Sequence, residues 1–289
     1  MWPIVKISYR EMLSKRIFSI TLLMSLAFLL LYAVAVYFAA GQMSDMLGRR
    51  STADLIMEQG FISTQLLGVG LYFGSFITAL LAILSSVGSI AQEIDSHQID
   101  TWLARPLPRR TYLVGKFIGL GSLLVVYAAA MFAGIILTNQ LVGGEVLAVD
   151  VTAGQILKAA GLFVLQPVIL VSVALFLSCT ASTVTGGIVL IILYGIGFIG
   201  GFIEQLGALM EKAELVNIGI ISSLVFPIDA LFRKMTILLF DQPDNPLSLA
   251  AQGLFGSLSA PSDAMLVYTV LYGAVALWLA VRTFVARDV

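Results

Sequence analysis

Few side chains in this sequence can do chemistry. His97 is the one imidazole and Cys179 the one thiol among 289 residues. A single residue of each closes neither a structural zinc site nor a disulfide framework, and a serine triad would rest on that one imidazole. His97 stands between Asp95 and Asp100, a setting for a group titrating near neutrality or for a solvated interfacial histidine. Cys179, with no second cysteine in the sequence to bond, reads as packing. Met43, Met46 and Met57 are thioethers of the kind that suit Cu(I), although ten methionines in so apolar a chain also fall close together by chance. No Gly-x-x-x-x-Gly-Lys-[Ser/Thr] phosphate loop occurs, so nucleotide chemistry is not expected of this chain itself.

Two patterns of small residues remain. Ser75, Thr78, Ala82, Ser85 and Ser89 are spaced by three and four, which puts them on one face of a helix. Such a face is either a mildly polar translocation path or a seam of close helix packing, for which small residues are the usual material in membranes. Gly195, Gly197, Gly200 and Gly201 crowd another segment, and Gly70/Gly74, Gly115/Gly119 and Gly197/Gly201 each make a Gly-x-x-x-Gly pair. Packing is again the first explanation.

The elements that must position these residues follow from composition. The chain is 59% hydrophobic and 11% charged, with a mean hydropathy of +1.00, the profile of an integral membrane protein. A net charge of −1 gives no basic excess for nucleic acid. Stretches without Asp, Glu, Lys or Arg run over 17–44, 59–92, 117–144, 159–203 and 264–281. Each crosses, or nearly crosses, a hydrocarbon core of about 30 Å as a helix. The 45 residues of 159–203 are split by a small, polar turn at Ser178 to Gly187. Six spans are expected, near 17–40, 61–91, 117–142, 155–178, 187–205 and 264–283. The first is too long for a secretory h-region and is expected to stay as an anchor.

The positive-inside rule sets the sides. With the N-terminus inside, Lys6, Arg10, Lys15, Arg16, Arg105, Arg109, Arg110, Lys116, Arg282 and Arg287 are cytoplasmic, ten of the 16 basic residues. Residues 1–16 then form a cytoplasmic amphipathic helix and both termini face the cytoplasm. Residues 206–263 resist simple assignment. The apolar run Leu215 to Ile228 is short for a span and is broken by Pro227, so a pair of re-entrant or interfacial helices is expected there.

The spans carry no ionisable residue in their expected interiors; Lys158 and Glu204 fall near outer ends. Ion-coupled carriers place such groups near the midplane, so energy for transport is expected from a partner outside the bilayer. Glu204 serves either as a boundary carboxylate or as a gate for a cationic group. Residues 92–116 form the one internal cytoplasmic segment large enough to be gripped. Ile94, Ile99, Trp102 and Leu103 recur at roughly helical spacing there until Arg105-Pro106 stops the helix. That helix either lies on the headgroups or docks a partner.

Glu93-Ile94-Asp95-Ser96, followed by Ile99, Leu103-Ala104-Arg105-Pro106, Arg109, Tyr112 and Gly115-Lys116, resembles the loop between the second and third spans of ABC-2-type transporter permeases. The basic stretch Lys6 to Arg16 and the ending Phe284-Val-Ala-Arg-Asp288 match as well. In length and layout the chain is similar to the permease of the nitrous-oxide-reductase maturation system. The resemblance implies two permease copies, each with a separate cytoplasmic ATPase that binds ATP and Mg. Glu93, Ile94, Asp95, Ser96, Leu103, Arg105, Pro106 and Arg109 would form or brace the coupling contact. It also implies that spans two and five line the route at the dimer axis, so that Ser75, Thr78, Ser85, Ser89, Gly197 and Gly201 belong to path or dimer packing. One departure is His97-Gln98, where the family often has Gly-Thr. The expected protein is therefore an all-α polytopic permease without cofactor or metal of its own, surrounded by lipid, with no role in nucleic-acid binding. A membrane scaffold that recruits a partner and an ATP-independent carrier are its rivals.

Overall fold

A computed structural model describes residues 2–47, 53–98, 108–149, 151–240 and 261–286. The described chain is helical throughout. The helices are α1 (Trp2–Ser14), α2 (Arg16–Leu47), α3 (Ala53–Ser86), α4 (Gly88–Asp95), α5 (Arg109–Leu147), α6 (Ala153–Thr180), α7 (Thr183–Leu209), α8 (Ala213–Val225), α9 (Ile228–Phe240) and α10 (Asp263–Ala286). Six of the segments they form are long and apolar enough to cross a membrane: Arg16–Met46, Glu58–Asp95, Arg109–Gly144, Ala153–Thr180, Thr183–Leu209 and Asp263–Ala286. The helices run past the expected limits at several ends because charged residues continue the backbone hydrogen bonding beyond the apolar stretch. α5, for example, begins at Arg109 rather than near Phe117.

Local chemistry fixes the breaks. Thr152 and Gln155 close a capping box at the start of α6. Ser182 accepts from the Thr185 N–H at 3.4 Å to start α7, so the turn between α6 and α7 shrinks to Ala181 and Ser182. α8 and α9 are 13 residues each and meet at Phe226-Pro227 with a bend of 111°.

α3, α5 and α6 are the most buried spans, whereas α2, α7 and α10 turn most of their side chains outward. Those outward faces carry Leu23, Leu30, Leu31, Ile188, Ile192, Ile199 and Leu271, all more than half exposed. In water that would be untenable; against lipid tails it costs nothing. Without a hydrophobic force between apolar helices, close approach does the work, and glycine supplies it. Gly115 and Gly119 receive Ile4 and Ser8 of α1, and Gly70 and Gly74 receive Tyr32 and Ile135. The tightest crossing is α7 on α8. A methyl group on Gly219 would lie 2.2 Å from Glu204 Cβ and 2.7 Å from its Cα. Gly219→Ala is therefore expected to force the two helices apart and to cost about 1–3 kcal/mol. Thermal unfolding of the purified variant checks it, and an unchanged midpoint would contradict the crossing.

Tyr112 of α5 stacks on Phe284 of α10 at 6.0 Å between ring centroids, while α1 lies on Gly115 and Gly119 of α5. Thus α1, the end of α4, the start of α5 and the end of α10 share one end of the bundle.

Candidate functional site

At that shared end, a buried lysine gathers three elements. Lys116 of α5 is 1% exposed, and its Nζ lies 2.6 Å from Glu93 Oε1 of α4 and 2.6 Å from Glu11 Oε2 of α1. It also donates to the Ser89 carbonyl at 3.3 Å, and the Tyr112 hydroxyl donates to Glu93 Oε2. Lys15 closes the outer side on Glu11 at 3.0 Å. Burial works against the Glu11 carboxylate, yet Lys116 and Lys15 hold it below the usual carboxylate range. α4 is tied from a fourth side. Ser178 Oγ of α6 accepts the N–H groups of Ile90 at 3.0 Å and Ala91 at 2.9 Å, satisfying donors that a helix start leaves over. Beside this cluster, between α1 and α4, opens a cleft of about 540 Å³ edged by Lys15, Gln92, Asp95, Ser96 and Gln98.

The far side of the bundle holds a second ion cluster. Arg233 of α9 is 2% exposed and pairs bidentately with Glu204 of α7, Nη1 to Oε1 at 2.6 Å and Nη2 to Oε2 at 2.8 Å. Its Nε donates to Asp229 Oδ2 at 2.9 Å, and Nη2 reaches Ser223 Oγ of α8 at 3.3 Å. One guanidinium thus clamps α7, α8 and α9 together. Asp229 lies so close to α7 that a Cβ on Gly201 would be 1.6 Å from its Oδ2.

A family model described as "ABC-2 family transporter protein" matches residues 2–289. The chain belongs to the ABC-2 transporter family. No curated protein matches it. As an ABC-2 permease it is a membrane transport component and not itself an ATPase, and members of the family typically work with an ATPase subunit.

The ABC-2 loop residues separate by role. Glu93 is buried and turned inward to Lys116 and Tyr112, so it braces the loop rather than presenting a surface. Ile94 packs against the core, while Asp95 and Ser96 are exposed and Arg109 is half-buried. Leu103, Arg105 and Pro106, with Ile99 and Trp102, lie outside the described residues. His97, at the family's usual glycine position, has φ of 54° just after the α4 C-terminus, with its N–H donating to the Ile94 carbonyl at 3.1 Å. Glycine enters that left-handed region without penalty, and histidine is among the side chains that tolerate it. His97→Gly is expected to hold or slightly raise the unfolding midpoint, and His97→Val to lose about 1 kcal/mol. Equal stability of the two variants would show that the turn relaxes.

The small-residue face of the second span is closed within the chain. Ser75, Thr78, Ala82, Ser85 and Ser89 are each 5% exposed or less. Ser75 Oγ donates to Gln166 Oε1 at 2.7 Å, whereas Thr78 and Ser85 donate back to carbonyls of their own helix. Gly197 sits against Phe226 and Gly201 against Asp229, both in the α8–α9 pair. Met43 is buried and Met46 exposed, while the side chain of Met57 is outside the described residues, and no metal-holding group of His, Cys, Asp and Glu occurs among the described residues. Cys179 is buried in α6, short of the turn in which the sequence reading put it.

The ion clusters are what sequence reasoning missed. Lys116 and Glu204 read as residues flanking apolar stretches, but both lie inside helices long and apolar enough to span, and both are buried. Their partners stand 23, 29 and 105 residues away, beyond any periodicity.

Proposed function

We propose that this chain is the membrane-spanning subunit of an ATP-driven exporter in the cytoplasmic membrane, working as a dimer with a separate ATPase that binds ATP and Mg. The observation that carries the reading is the Lys116 cluster. It makes the stub of the loop after the second span, α4, mechanically continuous with α1, α5 and α6. A loop gripped by an ATPase and fastened in this way transmits displacement into the bundle. A loop that only recruited a partner would need no such fastening.

The end that carries α1 faces the cytoplasm in this proposal, because Lys6, Arg10, Lys15, Arg16, Arg109, Arg110, Lys116 and Arg282 fall at it. The bent pair α8–α9 then lies on the outer side as re-entrant helices. ATP closes the ATPase pair, residues 92–116 move with it, and α3 and α7 shift against each other at the dimer axis in alternating access. Family resemblance, and the similarity in length and layout to the permease of the nitrous-oxide-reductase maturation system, support export as the direction.

Affinity purification of the tagged chain from its host in mild detergent, with an ATPase assay on what co-purifies, tests the reading. A stoichiometric ATPase is expected. Arg105→Ala, which removes none of the described contacts of the Lys116 cluster, is expected to weaken capture of that ATPase about tenfold, close to 1.4 kcal/mol. Glu93→Ala is expected to lose capture and stability together. A cleanly purified chain with no ATPase, after cross-linking as well, would sink the proposal in favour of a scaffold or an ATP-independent carrier.

A further inference from the structure

A cavity of about 20 Å³ lies where α3, α6, α7 and α9 meet, lined by Tyr72, Ser75, Gln166, Tyr194, Phe198 and Asp229 among others. That is room for about one water-sized group, and its walls are unusual for a water site. Half of the lining side chains are aromatic: Tyr72 lies 5.3 Å from Phe198 between ring centroids, and Tyr194 lies 6.4 Å from Phe198. Of the polar lining, Asp229 and the Ser75 hydroxyl offer acceptors, while the Gln166 amide is turned to Ser75 and donates to its carbonyl at 3.4 Å. The Asp229 side chain is 10% exposed; Oδ2 accepts from Arg233, and no hydrogen bond reaches Oδ1 from the described residues. Ser75 Oγ already donates its hydrogen bond to Gln166, leaving its lone pairs as acceptors.

Charge is out of balance at the same place. Among the described residues the cluster sets two carboxylates, Glu204 and Asp229, against one guanidinium, whose hydrogen bonds include two to Glu204, one to Asp229 and one to Ser223. Two carboxylates beside one guanidinium in a buried setting favour a cation as the group that enters the cavity. An inorganic cation would be served by further oxygens, whereas ring faces favour an organic cation through their quadrupoles.

We infer that this cavity receives the primary ammonium group of an amphiphilic amine, and that such amines are the class of molecule this permease carries. An –NH₃⁺ group has the size of a water and three donors, and so matches the cavity, the Asp229 carboxylate and the Ser75 hydroxyl together. A trimethylammonium group is too large for it. The apolar tail leaves along the seam of α3 and α7, where Phe76 faces Tyr194 at 6.2 Å and Phe76 and Ile191 are exposed on the outward apolar face. As a statement about transport this rests on the exporter reading above; as a statement about binding it stands apart.

The test is calorimetric titration of the full chain in detergent micelles with hexylamine, hexyltrimethylammonium and hexanol, each corrected for partition into empty micelles. Hexylamine is expected to bind at least about tenfold more tightly than either of the others. Asp229→Asn is expected to weaken hexylamine about tenfold, and Tyr72→Leu severalfold, while Tyr72→Phe retains binding because the ring face is kept. Should Asp229→Asn prove misfolded by size-exclusion profile, the three-ligand comparison and the Tyr72 pair decide alone. Equal binding of hexanol and hexylamine, or indifference of folded Asp229→Asn, overturns the site. ATPase capture by the wild-type chain is read in parallel. Capture without amine selectivity would remove the site and leave the exporter, and selectivity without capture would do the reverse.

Discussion

Arg233→Met is expected to cost about 3–5 kcal/mol and to be among the most damaging single substitutions in the chain. The guanidinium is 2% exposed, and its removal leaves Glu204 and Asp229 buried side by side without a counter-charge. Because α8 is held to α7 by glycine contacts and to α9 by this clamp, the loss should show first in that region. Hydrogen exchange in 201–235 is expected to rise before exchange in α3 or α5 changes. The cost is that of stranding two charges rather than the net worth of the triad. The triple variant Arg233→Met/Glu204→Gln/Asp229→Asn is therefore expected to recover most of the loss. A triple variant as unstable as the single one would mean that the guanidinium acts by shape and not by charge.

Lys116→Met is the counterpart at the other end, with an expected loss of about 3 kcal/mol. Glu93 has only Lys116 and the Tyr112 hydroxyl for its carboxylate among the contacts described, while Glu11 keeps Lys15 and is more open to solvent. Most of the cost therefore falls on Glu93, and Lys116→Met/Glu93→Gln is expected to regain the larger part of it. The structural signature is distinct from general destabilisation. α1 loses the ion pair that supplements its Ile4 and Ser8 contacts with α5, so exchange in 2–14 should rise even under conditions where the spans stay protected. If the double variant is stable but ATPase turnover no longer responds to the permease, the cluster transmits force. If coupling survives, it serves only to hold the fold, and the transmission proposed for it is wrong.

Reading of the sequence reached far for the spans and less far for the sites. Hydropathy placed the six helices that are long and apolar enough to cross a membrane, because in a bilayer every backbone polar group must be satisfied within its own segment, which makes each such helix a local property. The break at Pro227 and the turn near Ser182 were legible for the same reason: Pro and small polar residues act on their own neighbours. Loop residues were placed by resemblance, yet whether Glu93 faces outward or inward was not. Its neighbours Asp95 and Ser96, two and three residues on, are exposed, and the residue that draws Glu93 inward, Lys116, stands in another helix.

The stripe from Ser75 to Ser89 shows the limit most clearly. Spacing alone made it one face, but could not say what it faces. Gln166, 91 residues on in another helix, accepts the Ser75 hydrogen bond and closes that face within the chain. The glycine pairs share this ambiguity, since Gly197 and Gly201 approach Phe226 and Asp229 through a bend of 111° between α8 and α9. What the sequence by itself determined is the all-helical membrane class, the six helices long and apolar enough to cross a bilayer and the family, since each is written in contiguous residues. Which charges are buried, and which helices they clamp, was decided only by tertiary structure. A buried charge persists where its counter-charge arrives in space, and Lys116 and Arg233 meet theirs across 23 to 105 residues.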